Sequence, residues 1–323
     1  TGEATVNSPL TFTAGNWNSA QTVTVTGVND NLVDGTINST ITVAVNDGSS
    51  DNNFDPVNDQ TVSVSTTDND TAGFTIAQSD GSTSVSESGS TDTFTVVLNA
   101  QPNSNVVLAV TSGDTGEATV NSPLTFTNEN WNTPQTVTVT GANDSIIDGT
   151  INSTITVSVV DVSSDDNFDA VANQTVSVST TDNDTAGFTI AQSGGSTSVA
   201  ETGTTDTFTI VLDAQPDSNV VLTITSGDTG EATVTGTITF TSANWNSAQT
   251  VTVTGVDDNL IDGTINSTIT VAVNDGSSDN NFDSVANQTV SVSTTDNDTA
   301  GFTIAQSGGS TSVSESGTTD TFT

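Results

Sequence analysis

An all-β fold is predicted for this chain, built as tandem immunoglobulin-like antiparallel β-sandwiches of 114 residues. Three observations predict it. Apolar residues alternate with threonines at a period of two, as at Phe94, Val96 and Leu98, the pattern of a half-buried strand. Turn-forming clusters separate these runs at short intervals, and no segment shows the period of a helix. The stretch TTDNDTAGFTI stands unchanged at Thr66–Ile76, Thr180–Ile190 and Thr294–Ile304, a step of 114 residues each time. A fixed period of that kind sets the size of one structural unit.

Cutting at each TTDND gives two complete repeats, 71–184 and 185–298, which agree at roughly three positions in four. Residues 1–70 match the last part of a repeat and 299–323 the first part. The closing TDTFT corresponds to Thr91–Thr95, where a strand begins, so the chain reads as a window on a longer repeating protein.

Within 71–184 the expected strands follow in order. Phe74 and Ile76 open the repeat, and Phe94–Leu98 forms the next run after the SDGS turn. Val106–Val110, Ala118–Val120 and Leu124–Phe126 come next, parted by AQPNSN and SGDTG. Val137–Val139, Ile155–Val159 and Val176–Val178 complete the set, with GANDSIIDG and DVSSDDN as turns between them. Threonine fills the solvent positions because a β-branched side chain suits the pleat and its hydroxyl stays hydrated. Each repeat has one tryptophan (Trp17, Trp131, Trp245), expected in the core because so few other aromatics are present.

Composition excludes several classes of function. The chain has 39 Asp plus Glu and no Lys, Arg or His, a net charge of −39. Nucleic-acid binding needs a basic surface, and docking on anionic headgroups needs juxtamembrane cations, so neither fits. No apolar run approaches the roughly 20 residues of a membrane helix. High net charge with few aromatics is also the mark of disorder, but the regular alternation and the fidelity of the repeat argue for folded domains. Without His, Cys, Lys, Arg or Tyr, catalysis would fall to carboxylates and hydroxyls, and an identical active site in every repeat is a poor design for an enzyme.

The acids gather in loops rather than along strands. In 71–184 they stand at Glu87, Asp114, Glu117, Asp144, Asp148, Asp182 and Asp184. In 185–298 the same columns hold Glu201, Asp228, Glu231, Asp258, Asp262, Asp296 and Asp298, with Asp257 added. The partial repeats keep Asp30, Asp34, Asp68 and Asp70 at the start and Glu315 at the end. Asp and Asn also make ordinary turns. Several carboxylates converging on one place, however, repel one another unless a cation intervenes. Calcium takes six to eight oxygens at about 2.3–2.6 Å, from carboxylates, carbonyls and water.

The repeat resembles a Calx-beta domain, a module found in tandem in large bacterial surface proteins and in sodium–calcium exchangers. The motifs that carry the resemblance are VSES (Val85–Ser88), NWNTPQTVTVTGANDSIIDG (Asn130–Gly149) and TDND (Thr181–Asp184). It implies calcium held between loops by Glu87, Asp144, Asp148, Asp182 and Asp184, and one repeat later by Glu201, Asp258, Asp262, Asp296 and Asp298. In the leading partial repeat the matching acids are Asp30, Asp34, Asp68 and Asp70. The second acidic loop is thinner than the family's, reading DGTINST after Asp148, and Asn143 stands where the next repeat has Asp257. One or two ions per junction is the expectation that follows.

These readings converge on the structural repeat region of a long extracellular or cell-surface filament, stalk or adhesin, stiffened by calcium at the junctions between domains. Its partners would be calcium ions and neighbouring repeats, with lateral self-association into fibres as an extension. The alternative is a repeated glycan-binding module, which would need exposed aromatics for stacking on sugars.

Overall fold

The strands form where alternation places one apolar row on a single face. A computed structural model describes residues 2–323, and in it the chain divides into two compact units. One unit holds the residues up to Asp144 together with Gly149–Asn183, and the other holds Ser145–Asp148 with Asp184–Thr323. Among the described residues no helix is long and apolar enough to cross a membrane.

The first unit opens with four strands from the leading partial repeat: β1 (Ala4–Val6), β2 (Val25–Gly27), β3 (Ile37–Val43) and β4 (Gln60–Thr66). They make two antiparallel pairs, β1 with β2 and β3 with β4. Phe12, Trp17 and Phe54 in this segment are exposed. A full sandwich follows, made of β5 (Phe74–Gln78), β6 (Thr83–Ser86), β7 (Thr91–Leu98), β8 (Val106–Ser112), β9 (Ala118–Val120), β10 (Leu124–Phe126), β11 (Gln135–Gly141), β12 (Thr150–Val159) and β13 (Gln174–Thr181). One sheet has the order β10-β8-β12-β13-β6 and the other β5-β7-β11-β9.

The second unit repeats this plan with β14 (Phe188–Gln192), β15 (Thr197–Ala200), β16 (Thr205–Leu212), β17 (Val220–Ser226), β18 (Ala232–Val234), β19 (Thr237–Phe240), β20 (Gln249–Gly255), β21 (Ile265–Val273) and β22 (Gln288–Thr295). Its sheets run β19-β17-β21-β22-β15 and β14-β16-β20-β18. Residues 299–323 contribute one short 3-10 turn and an isolated bridge between Gln306 and Phe322.

Two features go beyond the alternating pattern. The chain crosses from one sheet to the other between β5 and β6, through a turn where Asp80 and Gly81 both take positive φ. The crossing strand then pairs in parallel with the last strand of its repeat, β6 with β13 and β15 with β22, so each sandwich carries one parallel pair in an otherwise antiparallel fold. Inward side chains of the two sheets form one apolar cluster per sandwich. Phenylalanines fill its centre (Phe94, Phe126 and Phe168 in the first), while Trp131 and Trp245 pack against the cluster from a half-buried position. These two tryptophans therefore sit at the core's rim, whereas Trp17 is exposed. Phe168 and Phe282 enter it from 3-10 turns in segments that read as plain turns.

One glycine in each sandwich is required by a close approach. A Cβ on Gly141 would overlap the carbonyl oxygen of Ser86, and one on Gly255 that of Ala200. Both carbonyls immediately precede a buried glutamate, Glu87 or Glu201. Gly255→Ala is expected to push β15 away and to destabilise the second sandwich by about 1–3 kcal/mol, as overpacking does. Chemical denaturation would show it as a lowered midpoint for that unit; an unchanged midpoint would mean that the strand shifts freely.

Candidate metal centre

Strand ends deliver the acids of the second unit to one place. Glu201 follows β15, and its N–H donates to the Thr295 carbonyl at 3.1 Å, one step beyond the parallel ladder. Glu231 precedes β18, and its carbonyl accepts from Val256 N–H at 2.8 Å, again one step beyond the paired strands. Regular sheet hydrogen bonding therefore fixes both backbones. Asp258 and Asp262 lie in the loop between β20 and β21, where Asp258 Oδ1 accepts from Leu260 N–H at 2.6 Å to close a tight turn. Asp298 follows β22, and Asn297 between them donates its N–H to Glu201 Oε2 at 3.1 Å.

Two groups of three carboxylates result, each with ligand atoms within 4.8 Å of one another. Glu201, Asp258 and Asp298 form one group, and Glu201, Glu231 and Asp262 the other, so Glu201 belongs to both. Glu201 is 1% exposed and Glu231 6% exposed. Oε2 of Glu231 and Oδ2 of Asp298 are buried with no hydrogen-bond partner. A buried oxygen of an acid without a partner carries its full desolvation cost.

The electrostatics follow from that crowding. Burial first, then Asp262, Asp228, Glu201 and Asp258, raises the Glu231 carboxyl above the ordinary glutamate value. Asp298 is raised by burial and then by Asp296, Asp257, Asp258 and Asp262. For Glu201 the Asn297 N–H pulls downward, but burial together with Asp296, Asp258 and Asp262 leaves the net shift upward. Asp296 behaves oppositely. Its Oδ1 accepts from Asp298 N–H at 2.6 Å, and its Oδ2 from Gly263 N–H at 2.9 Å and Asp262 N–H at 3.1 Å, which lower its pKa. Asp296 is thus a clamp that ties the loop to the end of β22, and it stands outside both carboxylate groups.

The first unit has a counterpart. Glu87, Glu117 and Asp144 bring ligand atoms within 4.8 Å, the two glutamates being 1% and 5% exposed. Asp182 Oδ2 accepts from Gly149 N–H at 2.9 Å, the clamp position again. Asp148 and Asp184 fall in the second unit. In the partial repeat Asp68 clamps the loop through Asp34 N–H at 3.0 Å and Gly35 N–H at 2.9 Å, and Asp70 N–H closes on its other oxygen at 2.7 Å. Burial and then the neighbours Asp68, Asp30 and Asp70 raise Asp34.

All these donors are carboxylate oxygens, the hard ligands that calcium or another divalent cation of the same kind prefers. The orphaned atoms of Glu231 and Asp298 face a charge problem that such an ion would resolve, so the residues present fit one. Glu117 and Glu231 belong to the acidic columns of the sequence but not to the ligand set drawn from the resemblance. Their signal was an acid placed directly before a short strand, in GDTGEATV.

No family model matches this chain, and no curated protein matches it. Among solved structures it is similar to "CBD12 from CALX1.2" at 10% identity and a TM-score of 0.25, over 61% of this chain and 79% of that one. Domains 4 and 5 of the S-layer protein SbsC match at 19% identity and a TM-score of 0.28, over 58% of this chain and 76% of that one. An endo-fucoidan hydrolase of glycoside hydrolase family 107 matches at 12% identity and a TM-score of 0.27, over 92% of this chain and 39% of that one. The likeness lies at the level of the β-sandwich fold.

Proposed function

We propose that this chain is the structural repeat region of a surface protein, a stalk or filament whose joins between repeats are stiffened by calcium. One observation carries the proposal: Glu231 is buried, raised in pKa, without a partner for one oxygen, and grouped with two further carboxylates, in a chain that has no Lys, Arg or His to neutralise it. Only a proton or a cation from solution can answer that charge. Glu201, Glu231, Asp258, Asp262 and Asp298 would hold the ion or ions in the second unit, and Glu87, Glu117 and Asp144 in the first. A divalent cation would bind the folded loops and not the open chain, so it stabilises by mass action. Near-identical repeats leave no single copy specialised, which suits a part that sets distance.

Calcium titration of chelator-stripped protein by calorimetry tests the reading. Binding is expected, with a stabilisation of about 2.7 kcal/mol once calcium stands at 100 times its dissociation constant. Glu231→Gln should weaken binding in the second unit while leaving the unfolding of the calcium-free protein intact or improved, because it removes an unanswered charge. Absence of heat and of any shift in melting would sink the calcium reading. Small-angle scattering with and without EGTA then tests the mechanical part, where added flexibility in EGTA is expected.

Acid should act in the opposite sense to calcium removal. The folded state favours the protonated forms of Glu231 and Asp298, so their ionisation at neutral pH weakens the calcium-free fold. That penalty is relieved as pH falls through their raised values and is gone below the ordinary values of 4.5 and 3.8. Asp296, held below 3.8, loses its contribution only at still lower pH. Melts of the calcium-stripped protein should therefore rise in temperature as pH falls from neutral toward the ordinary carboxylate values of 4.5 and 3.8, whereas with calcium they should fall over the same range. A calcium-free protein that loses stability over that range would contradict the assignment.

A further inference from the structure

The loop between Asp258 and Asp262 carries an apolar pair, Leu260 and Ile261, which are 63% and 60% exposed. Two earlier copies of this loop do not expose the pair. In the first unit Leu32 bridges Gln101 in parallel register. Val33 N–H donates to the Gln101 carbonyl at 3.0 Å, and Gln101 N–H to the Asn31 carbonyl at 2.7 Å. The Val33 carbonyl accepts from Asn103 Nδ2 at 3.0 Å and from Asn167 Nδ2 at 2.7 Å, while its side chain packs against the core of the sandwich. In the second unit Ile146 bridges Gln215, whose N–H donates to the Ser145 carbonyl at 2.7 Å. The Ile147 carbonyl accepts from Asn281 Nδ2 at 3.0 Å, and Ile147 packs against that unit's core.

The seat is organised by a buried acid. Asp165, 5% exposed, accepts Ser104 N–H on Oδ2 at 2.8 Å and Asn167 N–H on Oδ1 at 3.0 Å. Asp279 does the same with Ser218 at 2.8 Å and Asn281 at 2.9 Å. Each carboxylate thus ties the loop after the glutamine to the turn that presents the asparagine. Unlike Glu231 and Asp298, these two have both oxygens satisfied. Toward its seat the hook makes main-chain, amide and apolar contacts, through Gln101, Asn103 and Asn167 in the first unit and Gln215 and Asn281 in the second.

We propose that Leu260–Ile261 is a docking hook for a further copy of this repeat, which would seat it through the equivalents of Gln215 and Asn281, and that seating does not need calcium. The occupant follows from continuity: the same loop position is filled twice in this chain, both times by the sandwich of the next repeat. The inference is independent of whether the acidic groups bind an ion.

The chain has no cysteine, so single thiols report accessibility cleanly. Ile147→Cys, Ile261→Cys and Val162→Cys (the last at a position 96% exposed) would be labelled with a thiol reagent. Ile261→Cys should react nearly as fast as Val162→Cys, and Ile147→Cys about 10-fold slower or more. Extending the chain beyond Thr323 to complete the repeat should slow Ile261→Cys to the rate of Ile147→Cys, in EGTA as in calcium. Unchanged labelling of Ile261→Cys in the extended chain would overturn the docking. Slowing that disappears in EGTA would overturn its independence of the ion, while calcium binding itself would stand. Asn281→Ala removes the donor to Ile147 and should speed labelling of Ile147→Cys several-fold; no change would count against the seat.

Discussion

With 39 carboxylates and no side-chain cation, this chain can answer a buried acid in only three ways: with neutral hydrogen-bond donors, chiefly backbone N–H groups, with a proton, or with a cation from solution. Ordinary domains pair buried Asp and Glu with Lys or Arg. Removing that option shapes the rest of the structure. Solvent-facing strand positions go to threonine and serine, which add no charge, and the acids are confined to strand ends and loops. There, free N–H groups can reach some of them.

Those three ways sort the buried acids by role. Asp165 and Asp279 accept N–H bonds on both oxygens and serve the fold. Asp296 does the same as a clamp, and its pKa falls accordingly. Glu231 and Asp298 keep a buried oxygen with no partner, and their pKa values rise. Asp165 and Asp279 are as buried as Glu231, so burial alone does not mark a site. What separates them is whether the fold supplies donors.

Most strands were legible in the residues because alternation over five or more positions has no other reading. The strand Thr83–Ser86 was not, since TSVS offers one apolar side chain and pairs in parallel with a distant partner. Tryptophan was misplaced for a related reason: scarcity of aromatics argued for the centre, yet the larger ring is accommodated at the rim while phenylalanine fills the interior. The candidate site was legible as a set of acidic columns, but not in its division of labour. Asp296 resembles the other acids until its hydrogen bonds are seen, and Glu117 and Glu231 gain their meaning only when strand pairing carries them beside Glu87 and Glu201. The apolar pair inside GANDSIIDG passed as part of a turn. Its signal was two apolar residues at the same loop positions in all three copies, where turn chemistry asks for none.

Hook and acids share one loop, and that sharing has a physical consequence. Asp30 and Asp258 each accept the N–H of the first hook residue, at 3.0 Å to Leu32 and 2.6 Å to Leu260. Asp34 and Asp262 follow the hook directly, and each is tied through its N–H to a clamp acid, Asp68 or Asp296. The loop's shape is therefore set by its own turn and by the clamp acid, whether its hook is seated, as at Leu32, or exposed, as at Leu260. Seating then costs little ordering entropy, because the loop does not have to be organised as it docks. Cations at the two carboxylate groups, one holding Asp258 and the other Asp262, would brace the two ends of the same loop without touching the apolar residues between them. Apolar seating and ionic bracing thus act on one segment through different atoms, and the loss of one need not undo the other.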